Sequence, residues 1–458
     1  MTDVLDNWKS KKIAVLGLAV ESMSTIKFLH KHDITVTVLD KKSKKELGDS
    51  YQQAKQLGTK FHLGKDYLNG LAGFDVIIRS PGVHRLLPEL LTAEKRGVEI
   101  SSHTILFFQL CPCPIIGVTG TKGKGTTATL IYEILKAGNR RVFLGGNIGY
   151  PPLDFLPKLK EADLVVLELS SYQLQDLKQS PNIGVVLNTT ADHLDVHKSV
   201  REYRQAKEAI CKYQIKTDWV IANSDYFTSR EIAAKSAGHH WWVSACKTPK
   251  DKPKGYQEKG KLWLEMGTKK IHIAEVKKLL LRGQHNWENI LPAAAVGYLN
   301  GVKPLVIKKT IESFKGLEHR LELVGEKKGI KFYNDSFSTG PQPTIAALRS
   351  FTEPIILIVG GYDKGLDYKE LGKEIKRRKV KAVVLVGKVG EKIKKELGGY
   401  KGKLLVGAKD MKQMLTRAVA SASIGDVILL SPAAASFDMF KNYKDRGQQF
   451  KEAVKKIR

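Results

Sequence analysis

An apolar run followed by a glycine-rich turn constrains the fold of this chain more than any other stretch. The run covers residues 115–118, the turn reads Thr119-Gly-Thr-Lys-Gly-Lys-Gly-Thr-Thr127, and a helical pattern follows over 127–137. Glycines let backbone N–H groups approach phosphate oxygens, and the start of a helix adds partial positive charge. The order of strand, glycine turn, lysine, hydroxyl and helix therefore predicts a triphosphate site; a glycine turn without a ligand is the alternative.

The turn differs from the strict P-loop pattern at two positions. Val118 stands where that pattern begins with glycine, and Gly125 stands where a serine or threonine follows the lysine. In a P-loop the lysine reaches the outer phosphates and a hydroxyl group holds magnesium. These roles fit Lys124 and one of the threonines that follow it.

The composition is that of a multidomain globular protein. A length of 458 residues predicts about three domains, and 42% hydrophobic with 27% charged residues is typical of soluble proteins. No apolar run approaches the ~20 residues of a membrane-spanning helix, and the first residues lack the pattern of a signal peptide. We therefore expect a cytoplasmic protein without a membrane span.

The four cysteines do not form a disulfide framework. Cys111 and Cys113 make a C-x-C motif flanked by prolines, but Cys211 and Cys246 do not repeat that spacing. We expect reduced thiols and no zinc site.

The net charge of +29 is compatible with a nucleic-acid binder, a membrane-surface protein or an enzyme for polyanionic substrates. The lysines are spread through all regions, and no zinc-finger, helix-turn-helix or RNA-binding signature accompanies them. We therefore expect mostly solvated surface charge, with a minority of the lysines directing anions into a cleft, and no nucleic-acid partner.

Alternating strand and helix patterns predict an α/β chain of three domains. We expect a Rossmann-like N-terminal domain over 1–105, a central P-loop mononucleotide-binding domain over 106–317 and a Rossmann-like C-terminal domain over 318–458.

The first domain has the outline of a dinucleotide fold. Its fingerprint is reduced to Gly17, Ala19 and Ser22, which favours a nucleotide-like ligand over NAD. The predicted elements are strands at 11–16, 35–39 and 76–79 and a helix at 25–30.

Two predicted strands of the central domain end in residues suited to catalysis. The strand over 164–167 leads into Glu168, and the strand over 184–187 leads into the segment that holds His193. Because ligands gather at the carboxyl ends of strands in open α/β sheets, both residues would lie beside the glycine turn. Residues 246–270 predict an inserted hairpin.

Glycine-bearing turns follow several predicted strands of the third domain, which is typical of a further doubly wound unit. The predicted strands are 330–333, 355–359, 382–386, 404–406 and 427–430.

Taken together, these motifs resemble those of the Mur ligases of bacterial cell-wall synthesis, in the family's order and over nearly the whole chain. The glycine turn resembles their G-T-x-G-K-[ST]-T motif, His285-Asn-Trp-Glu-Asn289 their H-N-x-x-N motif, and Glu318-His-Arg320 their hinge arginine. The segments 168–174 and 431–447 are similar to those of the members that add D-glutamate.

The resemblance implies an ATP-dependent amide ligase of peptidoglycan precursor synthesis, which joins D-glutamate to UDP-N-acetylmuramoyl-L-alanine through an acyl phosphate. It implies that the first domain binds the UDP substrate, the central domain ATP and the third domain the amino acid. We expect a monomer whose partners are these small molecules and magnesium, with two ions.

The resemblance also implies the ATP and metal sites. Lys124 would neutralise the β- and γ-phosphates, Thr126, Glu168 and His193 would stand at the metal ions, and Lys207 would be carbamylated. Lys124, Glu168, His193 and Lys207 would be the catalytic residues, with Lys207 also at the metal. The implied ATP contacts are Gly120, Thr121, Lys122, Gly123, Lys124, Gly125, Thr126, Thr127, Asn286, Asn289, Arg320 and Asp335.

The substrate sites follow from the same resemblance. The chain departs from the family at Gly125, at Glu21 in the diphosphate neighbourhood, and at Phe337 where the family often has lysine. The implied UDP-substrate contacts are Val20, Lys41, Lys42, Ser80, Asn147, Gln173 and His193, and the implied D-glutamate contacts are Thr339, Lys364, Ser436 and Tyr443.

Plainer roles remain open for several of these residues. Glu168 could be a surface carboxylate, His193 a structural histidine and Lys207 a surface lysine, while Asn286 and Asn289 could cap a helix. At the level of function, the alternatives are a sibling ligase with another amino acid, a folylpolyglutamate synthetase, or a P-loop ATPase acting on nucleic acid. The Ser-Ser-Tyr-Gln segment at 170–173 and the complete nucleotide domain argue against the first two.

Overall fold

A computed structural model describes residues 2–189 and 200–457 of the chain. Their contacts divide the chain into two units. The first unit contains Met1–Ala274 and Glu288–Thr310, and the second contains Glu275–Trp287 and Ile311–Arg458. The domain boundaries near residues 105 and 317 stay predictions.

The N-terminal sheet is parallel and has the strand order β3-β2-β1-β4-β5. β1 reads Ile-Ala-Val-Leu and is buried throughout, as expected for a parallel strand that is covered on both faces. Its first residue, Ile13, pairs with Val36 on one side and Val76 on the other. The strands are β1 (Ile13–Leu16), β2 (Val36–Asp40), β3 (Lys60–Leu63), β4 (Val76–Arg79) and β5 (Glu99–Ser101).

The predicted strands of this domain are confirmed, and two short strands were missed. β3 is half exposed at one edge and β5 has only three residues, so neither carries a continuous apolar run. The predicted helix is confirmed but longer, because it begins at Val20. The helices are α1 (Thr2–Trp8), α2 (Val20–His30), α3 (Lys44–Leu47), α4 (Asp49–Gln56), α5 (Pro88–Lys95) and α6 (His103–Leu110), with a 3₁₀ turn at Leu71–Gly73.

The central sheet has the order β14-β13-β12-β11-β10-β9-β6-β8-β7, with β6 between β9 and β8. It is parallel from β7 to β12, and β13 runs antiparallel to β12, which confirms the predicted hairpin. The strands are β6 (Ile115–Thr119), β7 (Val142–Gly146), β8 (Leu164–Glu168), β9 (Ile183–Val186), β10 (Trp219–Asn223), β11 (His239–Ser244), β12 (Lys254–Glu258), β13 (Lys261–Met266) and β14 (Lys269–Glu275).

The helices of this part of the chain include the one predicted after the glycine turn, which begins three residues earlier than predicted, at Lys124. The helices are α7 (Lys124–Ala137), α8 (Pro152–Phe155), α9 (Ser171–Leu174), α10 (Val200–Glu208), α11 (Phe227–Ala233), α12 (Gln284–Leu299) and α13 (Pro304–Ser313), with 3₁₀ turns at Leu156–Lys158 and Val276–Lys278.

One apolar core joins the N-terminal and central sheets within the first unit. The ring of Phe107 on α6 meets that of Phe155 on α8 edge to face, with centroids 5.8 Å apart. Polar contacts reinforce the junction, since the Ser24 hydroxyl donates to Asp154 over 2.6 Å. A buried cluster of opposite charges does the same: Asp176 accepts from Arg79 over 2.8 Å and also from Arg85.

The C-terminal sheet has the order β15-β16-β20-β17-β18-β19 and is parallel except for β15, which runs antiparallel to β16. The predicted strands are confirmed to within two residues at each end, and β15, a partly exposed edge strand, was missed. The strands are β15 (Glu322–Lys327), β16 (Ile330–Asn334), β17 (Ile355–Gly360), β18 (Val380–Val386), β19 (Lys403–Leu405) and β20 (Val427–Leu430). The helices are α14 (Pro341–Arg349), α15 (Lys369–Arg377), α16 (Gly387–Glu396), α17 (Met411–Ala420) and α18 (Tyr443–Lys455).

Within residues 2–189 and 200–457, no helix combines the length and the apolar character needed to cross a bilayer.

The cluster at Asp176 makes a prediction about stability. Substituting Asp176→Ala leaves two largely buried guanidinium groups without this counter-ion, because the side chains of Arg79 and Arg85 are only 2% and 11% exposed. We expect a loss on the order of 3 kcal/mol in the free energy of unfolding, measured by urea denaturation. Asp66→Ala, at an exposed aspartate of the same unit, is the control and should change it by less than about 0.5 kcal/mol. An equal change in both variants would contradict the assigned role.

Candidate active site

The glycine turn between β6 and α7 has the backbone of a phosphate loop. Gly120 and Gly123 have φ angles of 155° and 87°, and a Cβ on Gly123 would lie 2.1 Å from Asn289 Oδ1. Both the backbone conformation and the close packing therefore require glycine at 123. α7 begins at the next residue, so its unpaired N–H groups and the positive end of its dipole lie at the turn.

The ammonium group of Lys124 lies over this turn. It donates to the carbonyl oxygens of Gly120 and Thr121, over 3.1 Å in each case. The turn thus combines a cation with backbone donors, a combination that fits a triphosphate.

The hydroxyl of Thr127 faces α12 and makes 3.4 Å hydrogen bonds with the backbone and side-chain oxygens of Asn289. Thr126 is buried in the first turn of α7 beside it. The assignment of Thr126 to a metal ion stays a prediction.

Glu168 ends β8 and lies beside the phosphate loop, because Glu168 pairs with Val118 in the strand next to it. The side chain is 5% exposed, which excludes the alternative of a surface carboxylate. Its Oε1 accepts a 3.2 Å hydrogen bond from Asn147 Nδ2. The structure therefore brings together two residues that the sequence assigned to neighbouring roles.

Lys207 on α10 is 1% exposed, so the alternative of a surface lysine is wrong. Its amine donates to Thr119 Oγ1 over 3.3 Å and to the Gly120 carbonyl over 3.2 Å, and it lies 4.7 Å from the centre of the Tyr203 ring. The amine therefore stands at the base of the phosphate loop. His193 was assigned to the same site and lies outside the described residues.

The two asparagines of the 285–289 motif have different surroundings. Asn289 belongs to the first unit and packs against Gly123 of the phosphate loop. Asn286 belongs to the second unit, where its side chain donates to the Arg282 carbonyl over 2.7 Å, just before α12 begins. The position of Asn289 suits an ATP contact, whereas the side chain of Asn286 bonds the backbone four residues earlier in the chain. The predicted ATP contacts of both asparagines stay predictions.

In the N-terminal domain, the side chain of Asp40 joins two loops at the carboxyl ends of the strands. It accepts hydrogen bonds from the backbone N–H groups of Leu18, over 2.7 Å, and Lys42, over 2.8 Å. Ser80, which follows β4, packs against Gly17, which follows β1: a Cβ on Gly17 would meet Ser80 Cβ at 3.1 Å. Of the residues implied for the UDP substrate in these loops, Ser80 is buried, and Val20, Lys41 and Lys42 are exposed.

The carboxyl group of Glu21 points to the central domain. Its Oε1 accepts a 2.6 Å hydrogen bond from Gln173 Nε2, while Gln173 Oε1 accepts from the N–H of Ser170 over 2.9 Å. Burial raises the pKa of Glu21 above its usual value. The departure at Glu21 therefore has a structural role in holding Gln173, and the prediction that Gln173 lines the substrate site stays a prediction.

In the C-terminal domain, Asp335 follows β16 and lies next to the end of β20. It accepts hydrogen bonds from the N–H of Leu321, over 3.2 Å, and from the hydroxyls of Ser338 and Ser431, the latter over 2.7 Å. Its burial raises the pKa to about 6. Asp335 is thus a buried organiser of these loops, and its predicted contact with ATP stays a prediction.

Phe337 replaces the lysine that the family often has, and it packs between two other side chains. The Arg320 guanidinium lies 3.8 Å from the centre of the Phe337 ring, and the Tyr443 ring meets Phe337 edge to face at 4.9 Å. A cation therefore lies against the ring at this position, but Arg320 provides it and residue 337 does not.

The other residues implied for D-glutamate lie on neighbouring loops of this sheet. Tyr362 donates from its N–H to the Ala435 carbonyl over 3.0 Å and so joins the loop of Lys364 to that of Ser436. Lys364 is exposed and its amine lies 6.0 Å from the Phe437 ring, whereas Ser436 is buried. The N–H of Thr339 donates to the Phe337 carbonyl over 2.9 Å.

Comparisons with known proteins assign the family. Sequence profiles of the Mur ligase MurD-like N-terminal domain, the Mur ligase middle domain and the Mur ligase glutamate ligase domain match residues 11–102, 118–297 and 319–434. The chain belongs to the Mur ligase family. Among its curated relatives, the UDP-N-acetylmuramoylalanine--D-glutamate ligase of Acetivibrio thermocellus is 41% identical, over 100% of this chain and 99% of the relative. That of Symbiobacterium thermophilum is 38% identical over 98% of each chain.

Solved structures of Mur ligases share the fold. MurF from Acinetobacter baumannii superposes with a TM-score of 0.62 at 15% identity, over 96% of this chain and 93% of that one. The MurC ligase of Thermotoga maritima gives a TM-score of 0.58 at 18% identity, over 97% and 99%. The three-domain α/β architecture predicted from the sequence is thus confirmed.

The donor atoms beside the phosphate loop of this Mur ligase suit magnesium, which prefers oxygen ligands. The Glu168 carboxylate is buried at the carboxyl end of β8, beside the phosphate loop. The threonines in the first turn of α7 lie at the same end of the sheet. In the parts of the chain that the structure describes, no three His, Cys, Asp or Glu side chains cluster as a ready-made metal site.

A buried carboxyl group behind the phosphate loop was missed by the sequence analysis. Glu288 Oε2 accepts hydrogen bonds from Tyr226, over 3.0 Å, and from Asn223 Nδ2, over 3.1 Å. Tyr226 also bonds the side chain of Asn188, whose Oδ1 accepts from the N–H of Lys122 over 3.0 Å. Glu288 lies inside the 285–289 motif, and Asn188 follows β9, so their positions in the sequence were the available signals.

A second missed residue is Arg446, which is 3% exposed. Its guanidinium donates to Ser336 Oγ over 3.0 Å and to the Ala434 carbonyl over 3.1 Å, so it links the loops that follow β16 and β20. Burial lowers its pKa to about 10. Arg446 lies inside the 431–447 segment that resembles the family's, so its position in the sequence was the available signal.

The burial of Glu288 makes a prediction about pH. Burial raises its pKa from 4.5 to about 7, so the protonated form is favoured in the folded state. The stability that this group contributes is fully present below pH 4.5 and is lost as the pH rises through 7. Relative to Glu288→Gln, which does not titrate, the wild-type protein should therefore lose on the order of 2 kcal/mol between these pH values.

Chemical denaturation of both proteins at a series of pH values measures this difference. Glu370→Gln, at an exposed glutamate, is the control and should show no such slope. A constant difference between wild type and Glu288→Gln across the range would disprove the burial argument.

Proposed function

We propose that this Mur ligase joins D-glutamate to UDP-N-acetylmuramoyl-L-alanine in peptidoglycan precursor synthesis, with ATP as the energy source. The observation that carries the proposal is the full-length identity of 41% with a curated UDP-N-acetylmuramoylalanine--D-glutamate ligase. The phosphate loop, Glu168 and Lys207 at one edge of the central sheet give the proposal its chemistry.

The reaction has two steps. The carboxylate of the UDP substrate attacks the γ-phosphorus of ATP, which releases ADP and leaves an acyl phosphate. The amine of D-glutamate then attacks the acyl carbon, and phosphate leaves from the tetrahedral intermediate as the amide forms. Both steps bring several anions together, so the protein must supply positive charge and fixed donors.

Residues of the phosphate loop would supply that charge. Lys124 lies over the turn, where its amine bonds the carbonyl oxygens of Gly120 and Thr121, and it would neutralise the outer phosphates. The N–H groups at the start of α7 add donors that do not have to reorganise during the reaction. Asn289 fixes the turn from behind through its contact with Gly123.

Glu168 and Thr126, together with His193, would hold magnesium, which when bound neutralises phosphate charge and orients the transferred group. A carbamate on Lys207 would add an anionic oxygen ligand near the same edge, where its amine now bonds Thr119 and Gly120. Forming it joins the neutral amine nitrogen to carbon dioxide with loss of one proton, and leaves a buried anion in place of the amine.

The substrate ends would occupy the outer domains. The loops joined by Asp40, with Ser80, Lys41 and Lys42, would take the uridine diphosphate, because they combine backbone donors with two exposed cations. On the C-terminal domain Lys364, Ser436, Tyr443 and Thr339 would take D-glutamate. Arg320, whose guanidinium lies 3.8 Å from the centre of the Phe337 ring, would supply a cation in place of the family's lysine.

Product formation tests this proposal. With ATP, magnesium and UDP-N-acetylmuramoyl-L-alanine, a panel of amino acids should give phosphate and amide product with D-glutamate alone. Lys124→Ala should lower turnover by about 100-fold or more, because it removes charge aimed at the transferred phosphate. Lys136→Ala, at an exposed lysine near the other end of α7, is the matched control and should retain full turnover.

Two outcomes would contradict the proposal. Product with another amino acid but none with D-glutamate would favour a sibling ligase. Phosphate release that requires DNA or RNA would favour an ATPase acting on nucleic acid.

The carbamate has its own test. Lys207→Ala should lose turnover, and short carboxylates such as formate or acetate should restore part of it by entering the space beside the loop. Lys212→Ala, at an exposed lysine just beyond α10, should retain turnover and show no response to carboxylates. A folded Lys207→Ala protein that carboxylates do not rescue would leave Lys207 a role in supporting the loop only.

A further inference from the structure

The C-x-C motif lies in the short connection between α6 and β6. The phosphate loop follows the opposite end of β6. Cys111 follows the last residue of α6, and Cys113 is two residues before β6 begins. Both ends of the connection are fixed: the N–H of Cys111 donates to the Phe107 carbonyl over 2.9 Å, and that of Ile115 donates to Asn182 Oδ1 over 3.0 Å.

Prolines at 112 and 114 restrict this connection further. Each fixes its own φ angle and removes one N–H donor, so the backbone that carries the two cysteines has few alternative conformations. The two thiol groups are therefore held next to each other by the chain itself.

The sulfur atoms of Cys111 and Cys113 are 3.7 Å apart. A disulfide bond of about 2.05 Å therefore requires the sulfurs to approach each other by roughly 1.7 Å, which side-chain rotation of two adjacent thiols can provide. The Cys111 thiol also lies 3.4 Å from the Cys113 carbonyl oxygen.

The two thiols differ in exposure and acidity. Cys111 is partly exposed, while Cys113 is 7% exposed. The hydrogen bond between the thiols lowers the pKa of Cys111, and together with burial it raises the pKa of Cys113. An accessible, more acidic thiol beside a buried one is the arrangement of an attacking and a resolving cysteine.

We propose that Cys111 and Cys113 form a thiol–disulfide exchange site that reacts with low-molecular-weight disulfides. The Cys111 thiolate attacks one sulfur of the small disulfide, forming a mixed disulfide and releasing one small thiolate. Cys113 then loses its proton and attacks Cys111 Sγ, which forms the Cys111–Cys113 bond and releases the second small thiolate. Two protein thiols are oxidised, and one small disulfide is reduced to two thiols.

The other cysteines provide internal controls. Cys246 is exposed and outside the motif, so it should form a mixed disulfide that persists. Cys211 is 0% exposed, and its thiol donates to the Ile232 carbonyl over 3.1 Å, so it should not react.

The experiment uses the full chain carrying Cys246→Ser, which removes the exposed thiol. The reduced protein is incubated with oxidised glutathione, alkylated and analysed by intact and peptide mass spectrometry. We expect two thiols to be lost together with no glutathione retained, and dithiothreitol to restore both. Adding Cys113→Ser should instead trap glutathione on Cys111, because the resolving thiol is absent.

Two results would overturn the proposal. One is glutathione retained on Cys111 while Cys113 is still present. The other is a C-x-C pair that stays reduced under conditions in which Cys246 of the wild-type chain reacts fully. Thermal melting of the Cys113→Ser variant checks that it is folded; if it is not, the paired loss of thiols in the Cys246→Ser protein decides the matter.

Discussion

The geometry of the phosphate loop in the central domain depends on two helices that pack against its backbone. Asn289 of α12 occupies the space that a side chain on Gly123 would need, and the buried amine of Lys207 on α10 bonds the Gly120 carbonyl. The loop is thus fixed on two sides by contacts within the protein. Donors that are already oriented have no reorganisation to undergo when phosphate charge moves, which is why such packing favours phosphoryl transfer.

In each part of the chain, a buried carboxyl group holds neighbouring segments together by accepting hydrogen bonds from uncharged donors. Asp40 is held by two backbone N–H groups, Asp335 by a backbone N–H and two serine hydroxyls, and Glu288 by a tyrosine and an asparagine. The lysine excess lies elsewhere: on α16, for example, the lysines are exposed while Ile393 is buried. The net charge of +29 therefore describes the surface far more than the site.

In the C-terminal domain, a cation and an aromatic ring pack against the residue that departs from the family pattern. Phe337 cannot supply the cation of the lysine it replaces, but its ring is the surface on which the Arg320 guanidinium and the Tyr443 ring pack. Arg446 joins the adjoining loops, because its guanidinium donates hydrogen bonds to Ser336 and to the Ala434 carbonyl. A guanidinium stacked on an aromatic ring retains its charge at the position and adds a favourable contact of its own.

The sequence alone determined the family, the three α/β domains and the strands with continuous apolar runs, because buried parallel strands and glycine turns leave strong local patterns. It also placed Lys124 and Glu168 at one edge of a sheet, since strand order and strand ends imply that edge. Short or half-exposed edge strands such as β3, β5 and β15 were not predicted from the sequence, because their residues lack such a pattern. Only the tertiary structure decided that Lys207 is buried at the loop, that Glu21 holds Gln173 and that Glu288 reaches the loop through Tyr226 and Asn188. Those contacts join residues far apart in the chain, and their geometry depends on how the elements pack and not on any local signal.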